Sequence, residues 1–249
     1  MLHGGFVKGR TYILTGDTGT GKTIACLQLL QHALAQGEKA VYVTVDERPS
    51  EITDSALSFA WNLQQHIQEK NLAILDASPY FTGRPASAGE RGIDPQKTVA
   101  DLSNYVKRLG ATLLIIDPVT PFILTGDGAH PAQDQARSLI NLIQTQLNTT
   151  NLLTAHFSTR ANQNPTFGIE EFLASGVFAL KVNAAGDRFE RSLTIRKMRG
   201  TPVLPGEYRF EINSNAGIEL KNRSADPGVN VNVDAAAAPM FEYFKLPSK

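Results

Sequence analysis

The chain is poor in cysteine. Among its 249 residues Cys26 is the single one, so no intrachain disulfide can form, and a reducing cytoplasm is the expected setting. Cys26 lies in an apolar helical stretch and reads as packed. Net charge is also absent: Lys+Arg and Asp+Glu both number 24, which leaves no bulk attraction to nucleic acid or anionic membrane. No apolar run is long enough to cross a bilayer. Met1-Leu2-His3-Gly4-Gly5 lacks the basic-then-apolar order of a secretory signal. The five histidines (His3, His32, His66, His130, His156) have no metal-ligand spacing and read as surface or packing residues. No segment repeats. A hydrophobic share of 42% with 19% charged residues fits a globular chain, and the length fits one sizeable core.

Glycine and threonine, by contrast, are concentrated where they carry chemistry. Gly16-Asp17-Thr18-Gly19-Thr20-Gly21-Lys22-Thr23 fits G-x-x-x-x-G-K-[ST], the phosphate-binding loop. Glycines let backbone N–H groups turn inward around a polyphosphate without Cβ clashes. Lys22 can neutralise β- and γ-phosphate charge, and the Thr23 hydroxyl can ligate the Mg²⁺ that travels with the nucleotide. The setting agrees. Residues 10–15 read as a strand and 23–35 as a helix ended by Gln36-Gly37, so the helix points its positive end at the anion.

Further along, strands are expected at 39–45, 72–75, 111–116 and 152–155, and helices at 50–61, 94–109 and 132–148, with 80–92 a loop. Ile52, Ala56, Phe59 and Ala60 share one face of the first of these helices, and Pro95 suits the first turn of the second. Alternating βα units with continuous apolar strands predict an α/β fold, a mostly parallel twisted sheet flanked by helices. After Gly176 the pattern changes. Strands at 177–182 and 192–198, then at 208–212 and 218–220, flank turn segments and predict an antiparallel finish. Residues 1–220 form the expected domain. Residues 221–249 read as a flexible tail, although Met240-Phe241-Glu242-Tyr243-Phe244 is apolar enough to dock on a neighbour.

Three more features belong with the loop. Leu113-Leu114-Ile115-Ile116-Asp117 is an apolar strand ending in a carboxylate at the ligand-binding rim; Asp117 can partner Thr23 at Mg²⁺ through a water, although an Asp before Pro118 could also cap a helix. Asp46-Glu47 ends the strand after the loop's helix, where a carboxylate could orient an attacking water. Side chains alternate along a strand, so one of these two acids is expected to reach the γ-phosphate, and which one stays open. In Lys197-Met198-Arg199-Gly200-Thr201, Lys197 and Arg199 are two apart and project to one face, as a pair gripping an anion would. A solvated edge strand would carry such cations too. Between Gly176 and Arg223 nine cations stand against five acids, which suits a surface that approaches phosphate.

On these residues the chain resembles the KaiC-like branch of the RecA superfamily of ATPases. The resemblance runs from His3-Gly4-Gly5 through the phosphate loop, Asp46-Glu47-Arg48-Pro49, Ser58-Phe59-Ala60-Trp61-Asn62-Leu63 and Leu75-Asp76-Ala77-Ser78-Pro79. It continues through Leu114 to Thr120, Phe167-Gly168-Ile169-Glu170-Glu171-Phe172 and Lys197 to Thr201. It implies a RecA-like P-loop core, Mg²⁺ with ATP as substrate, and subunits in a ring, usually a hexamer, with ATP between neighbours. It implies that Gly19, Thr20, Gly21, Lys22, Thr23 and Ile24 hold the phosphates and that Ser58 lies near the adenine. Lys197, Met198, Arg199 and Thr201 would reach the neighbour's nucleotide, with Lys197 and Arg199 as a trans-acting finger.

The chain departs from that pattern in four places. Asp46 stands where the family usually has a first glutamate, so hydrolysis is expected to be slow. Glu170-Glu171 stands where the autophosphorylating domain of the family has a Ser-Thr pair, so the resemblance is to the purely ATP-hydrolysing domain. Val203 and Pro205 replace a His and a Lys frequent after the finger, and the segment before the first strand is short. The competing readings are a RecA- or RadA-like DNA-binding module, an autokinase, and a nucleotide-binding scaffold that hardly hydrolyses. The first would use the loop at 157–164, which holds one Arg and one Phe.

Overall fold

Nine strands form one sheet in the order β3-β2-β4-β5-β1-β6-β7-β8-β9 in a computed structural model that describes residues 5–82, 94–124, 132–156, 173–185, 188–203 and 206–221. The chain order is β1 (Thr11–Gly16), α1 (Lys22–Ala35), β2 (Ala40–Thr44), α2 (Pro49–Leu57), α3 (Leu63–Gln68), β3 (Leu72–Asp76) and α4 (Pro79–Thr82). Then come α5 (Pro95–Leu109), β4 (Leu113–Asp117), α6 (Thr120–Leu124), α7 (Ala132–Gln146) and β5 (Thr150–His156). The last strands are β6 (Gly176–Ala185), β7 (Arg188–Met198), β8 (Glu207–Asn213) and β9 (Gly217–Leu220). Strands β1 to β6 pair in parallel, and β6-β7, β7-β8 and β8-β9 pair antiparallel. The expected α/β architecture, with its antiparallel finish, is what the chain adopts.

The period of two along each strand divides the core into two layers. Tyr12, Leu14, Tyr42, Leu113, Ile115 and Leu152 pack against α1, α2 and α3. Their strand neighbours Ile13, Val41, Val43, Leu114, Ile116 and Leu153 pack against α5, α6 and α7. Burial on both faces is why β1, β2 and β4 are covered along their whole length and read as continuous apolar runs. Truncating a side chain as enclosed as Leu30 in α1 would cost about 2–5 kcal/mol.

Local signals explain both ends of α5 and the start of α3. Asp94 caps α5 by accepting from the Gln96 N–H at 2.9 Å, Pro95 follows at the first position, and Gly110 closes the helix in the left-handed region at φ 71°. The expected helix over 50–61 is interrupted. α2 ends at Leu57, Ala60 adopts φ 60°, and a separate α3 begins behind Asn62, whose side chain accepts from the Gln65 N–H. Ile52, Ala56 and Phe59 are buried as expected, while Ala60 is exposed on the turn. Phe59 stacks on Trp61 at 4.9 Å between ring centroids, and this aromatic turn displaces the helical continuation. Residues 80–82 are helical, at the start of the expected loop, and two residues separate β4 from α6. The segments holding 157–164, Glu170-Glu171 and 222–249 lie outside the described residues, as does Pro205. No helix among the described residues is long and apolar enough to cross a membrane.

Candidate functional site

Parallel strands end on the same rim of a sheet, so β1, β2, β4 and β5 deliver their C-terminal residues side by side. A cavity of about 360 Å³ opens there. Its floor is the phosphate loop between β1 and α1: Thr18, Gly19, Gly21, Lys22, Thr23 and Ile24 all line it. Gly21 adopts φ 103°, and a Cβ there would stand 3.0 Å from Ile212 Cδ1, so the loop is closed against β8 in a form that glycine alone accepts without strain. Thr20 does not line the cavity. It is buried within the loop, and its hydroxyl donates to the Asp17 carbonyl at 2.8 Å.

Lys22 is 8% exposed and donates to the carbonyls of Gly16 at 2.8 Å and Asp17 at 2.9 Å. Burial lowers its pKa, and the negative fields of Asp117, Asp17 and Asp46 work against that shift. Asp117, at the end of β4, is buried beside it. Its two carboxylate oxygens accept separate hydrogen bonds, one from the Tyr42 hydroxyl and one from the Thr154 hydroxyl. Burial, then the Asp117 charge, pushes the Tyr42 phenol well above its ordinary value, so it stays a donor.

The two acids after β2 both line the cavity but differ in environment. Asp46 is exposed, and its carboxylate lies 3.9 Å from His156 Nε2. Glu47 is half-buried, and its carbonyl accepts from the Thr44 hydroxyl at 2.7 Å, which tightens the turn. Burial raises the Glu47 pKa, helped by the charges of Asp117, Glu51 and Asp46. A half-buried carboxylate with a raised pKa is suited to accept a proton near neutral pH.

Two cavity residues escaped the sequence reading. His156 ends β5, with its N–H donating to the Thr120 hydroxyl at 3.2 Å, and it faces Asp46. A histidine at the end of a strand next to the P-loop strand was the available signal. Arg191, in the middle of β7, lines the cavity on the side of Ile212. Its Nε is buried, without a hydrogen-bond partner among the described residues. Reading it would have required the β6-β7 register, which pairs Arg191 with Val182, past the end of β1.

The other expected residues lie elsewhere. Ser58 is exposed and donates to the Ser55 carbonyl at 2.6 Å, away from the cavity lining. Lys197, Met198, Arg199 and Thr201 do not line it either. Met198 pairs with Gly176, and Gly176 with Tyr12, whereas the phosphate loop follows Gly16. The Lys197–Arg199 segment therefore sits about four residues, roughly 13 Å, below the rim that carries the loop. A bulge at Val177/Phe178 shifts the register just before this segment. Met198 packs on the α1 layer, and its strand neighbour Lys197 pairs with Val177, which packs in the other layer. Arg199 is fixed by its N–H donating to the Ser175 carbonyl at 2.7 Å, and Thr201 donates to the Gly5 carbonyl at 3.3 Å.

The donor set fits a magnesium-bound polyphosphate. Thr23 and Asp117 offer hard oxygen donors to one cavity beside Lys22, and no group of three or more His, Cys, Asp or Glu among the described residues could cage a metal alone. Mg²⁺ is commonly held this way, by one or two protein oxygens plus phosphates and waters.

Comparison with known proteins agrees with this geometry. The family described as "ATPase: KaiC" matches residues 1–225. The circadian clock oscillator protein KaiC of Thermostichus vulcanus is 35% identical over 240 residues, covering 94% of this chain and 46% of the relative. The circadian clock oscillator protein KaiC 1 of a Synechocystis strain is 33% identical over 221 residues, covering 88% and 42% respectively. The chain thus spans about half the length of the curated relatives it matches. A KaiC-like protein from the hyperthermophilic archaeon Pyrococcus horikoshii superposes with a TM-score of 0.74 at 29% identity, covering 89% of this chain and 93% of that one. With its phosphate loop, rim acids and sheet order, the chain belongs to the KaiC family of RecA-type P-loop ATPases.

Proposed function

We propose that the protein hydrolyses Mg-ATP slowly, at sites completed by a neighbouring copy in a ring, as a regulatory ATPase. The observation that carries this reading is the division of the site residues. The loop, Asp117, Asp46 and Glu47 meet at one rim, while Lys197 and Arg199 stand together roughly 13 Å below it. Cations so placed serve another copy's phosphates more readily than their own. Mg²⁺ would be held by the Thr23 hydroxyl and, through water, by Asp117, and it would neutralise charge on the β- and γ-phosphates.

The chain's own residues divide the work. The loop N–H groups and Lys22 bind the phosphates, with Ile24 next in the loop's helix. Arg191, whose buried Nε lacks a partner among the described residues, adds a second cation from the same chain. Glu47 orients the attacking water and accepts its proton, with Asp46 as the second acid. Lys197 and Arg199 of the neighbour stabilise the transferred charge, and Met198 and Thr201 shape that approach. Ser58 contacts the adenine after the neighbour has closed the site. Asp46 reaches less far than a glutamate would, which makes turnover slow. The domain is taken as 1–220, with 221–249 as a tail able to dock on a neighbour. The clock role in the relatives' names is a property of those longer proteins.

The test is phosphate release measured against protein concentration, with and without Mg²⁺, beside the particle mass in ATP. Release that needs Mg²⁺, rises more steeply than linearly with concentration and disappears in Lys22→Ala is expected. Release by a monomer at constant specific rate would sink the intersubunit site. Single-stranded DNA binding that weakens with salt would favour the recombination reading, and labelled phosphate retained on the chain would favour the autokinase.

A further inference from the structure

Asp117 is gripped from both neighbouring strands. β4 lies between β2 and β5, and Tyr42, Ile115 and Leu152 all face the α1 layer. Alternation places Asp117 and Thr154 on that same face, two residues further along. The Tyr42 hydroxyl donates to Asp117 Oδ2 at 2.7 Å, and the Thr154 hydroxyl donates to Oδ1 at 2.5 Å. Tyr42 and Thr154 are 0% exposed and Asp117 is 7% exposed. A phenylalanine would fill the apolar part of the Tyr42 site equally well, so the hydroxyl serves the carboxylate.

Each carboxylate oxygen gives one lone pair to this clamp and keeps another. Lys22, which lines the same cavity, is a competitor for those remaining pairs. It attracts Asp117 across the cavity floor, yet its ammonium donates to the Gly16 and Asp17 carbonyls. An unclamped Asp117 could turn onto that ammonium, and such a pair would remove both groups from ligand binding.

We propose that Tyr42 and Thr154 are positioning residues: they hold the Asp117 carboxylate off Lys22 and direct its remaining lone pairs to the hydrated cation of the nucleotide. This rests on the reading of the site given above. Partners of a carboxylate bound directly to a metal typically control 10–100-fold in metal affinity; Asp117 acts through water, so the lower end, about tenfold, is expected of its two hydroxyl partners.

The experiment measures binding of a fluorescent, non-hydrolysable ATP analogue at increasing Mg²⁺, so the readout does not depend on turnover. Tyr42→Phe and Thr154→Val should each raise the Mg²⁺ concentration at half-effect by about tenfold. Binding without Mg²⁺ should change little, and Thr154→Ser, which keeps the hydroxyl, should behave as wild type. A Mg²⁺ midpoint unchanged in the folded variants overturns the clamp and leaves the site reading intact. Equal losses with and without Mg²⁺ also overturn it, because they mark a packing role. Wild-type protein with no Mg²⁺-dependent gain overturns the site reading and the clamp together. Either substitution decides the matter if the other does not fold.

Discussion

The parallel and antiparallel halves of the sheet solve different problems. In β1, β2, β4 and β5 the side chains are buried almost throughout, whereas β7 and β8 alternate buried, half-buried and exposed positions. Parallel strands all end on one rim, so chemistry placed at their ends converges: the phosphate loop, Asp46, Glu47, Asp117 and His156 meet there. An antiparallel strand has one end at each rim. β7 therefore carries Arg191 into the chain's own cavity and Lys197 and Arg199 towards the opposite side. One half of the molecule concentrates a site, and the other spreads its cations along a strand from one rim to the other.

The largest expected effect tests that distribution. Arg199→Ala should lower turnover by roughly 10³-fold, the lower range for a lost arginine finger, while ATP affinity stays within a few-fold. Mixed with Lys22→Ala subunits, which keep their finger and lose their loop, it should recover part of the activity in phosphate-release assays. No recovery would place Arg199 in the same site as Lys22 and end the comparison. Glu47→Gln should cost about 10²-fold, the lower end for the loss of a proton acceptor. In the unmutated protein turnover should fall on the acid side at a higher pH than an ordinary carboxylate predicts, because burial raises the Glu47 pKa. A pH profile without that limb would remove Glu47 from the role.

Arg191→Ala is the complement to Arg199→Ala. It should raise the KM for ATP about tenfold, as expected for one lost charge-assisted phosphate contact, and mixing should not rescue it. Rescue by mixing would move Arg191 to the neighbour's site. Asp46→Glu should raise turnover a few-fold, and a decrease would show that the shorter acid is matched to His156.

The smallest effect concerns stability. The folded chain raises the Glu47 pKa and the unfolded chain does not, so folding favours the protonated form. The charged form is therefore destabilising above the folded pKa, and the penalty disappears as pH falls below the unfolded value. Glu47→Gln should raise the thermal midpoint slightly at neutral pH and leave it unchanged in acid, as read by a melting series across pH.

Legibility followed distance along the chain. The phosphate loop, Asp117 and Asp46-Glu47 were readable because each is a local pattern at the end of an apolar strand. The α/β alternation was readable for the same reason. Arg191 and Tyr42 were not, because their roles come from register: one is paired with Val182 and the other aimed at a strand 75 residues away. Each sits inside an ordinary strand pattern where Lys197 and Arg199 drew attention instead. The end of α2 was missed because Phe59-Ala60-Trp61 continues the apolar period. The Asn62 cap was the local signal that a new helix starts.

The separation of Lys197 and Arg199 from the loop gives the subunit a direction. A head-to-tail contact is heterologous, with unlike surfaces meeting. Under the proposed pairing, an open row of n copies contains n − 1 finished sites and always one loop without a finger, whereas a closed circle contains n. The last subunit to join therefore finishes two sites at once. Closure, more than growth, would then set the catalytic yield per chain, and a partner that pries open a single contact would remove one whole site without touching any nucleotide.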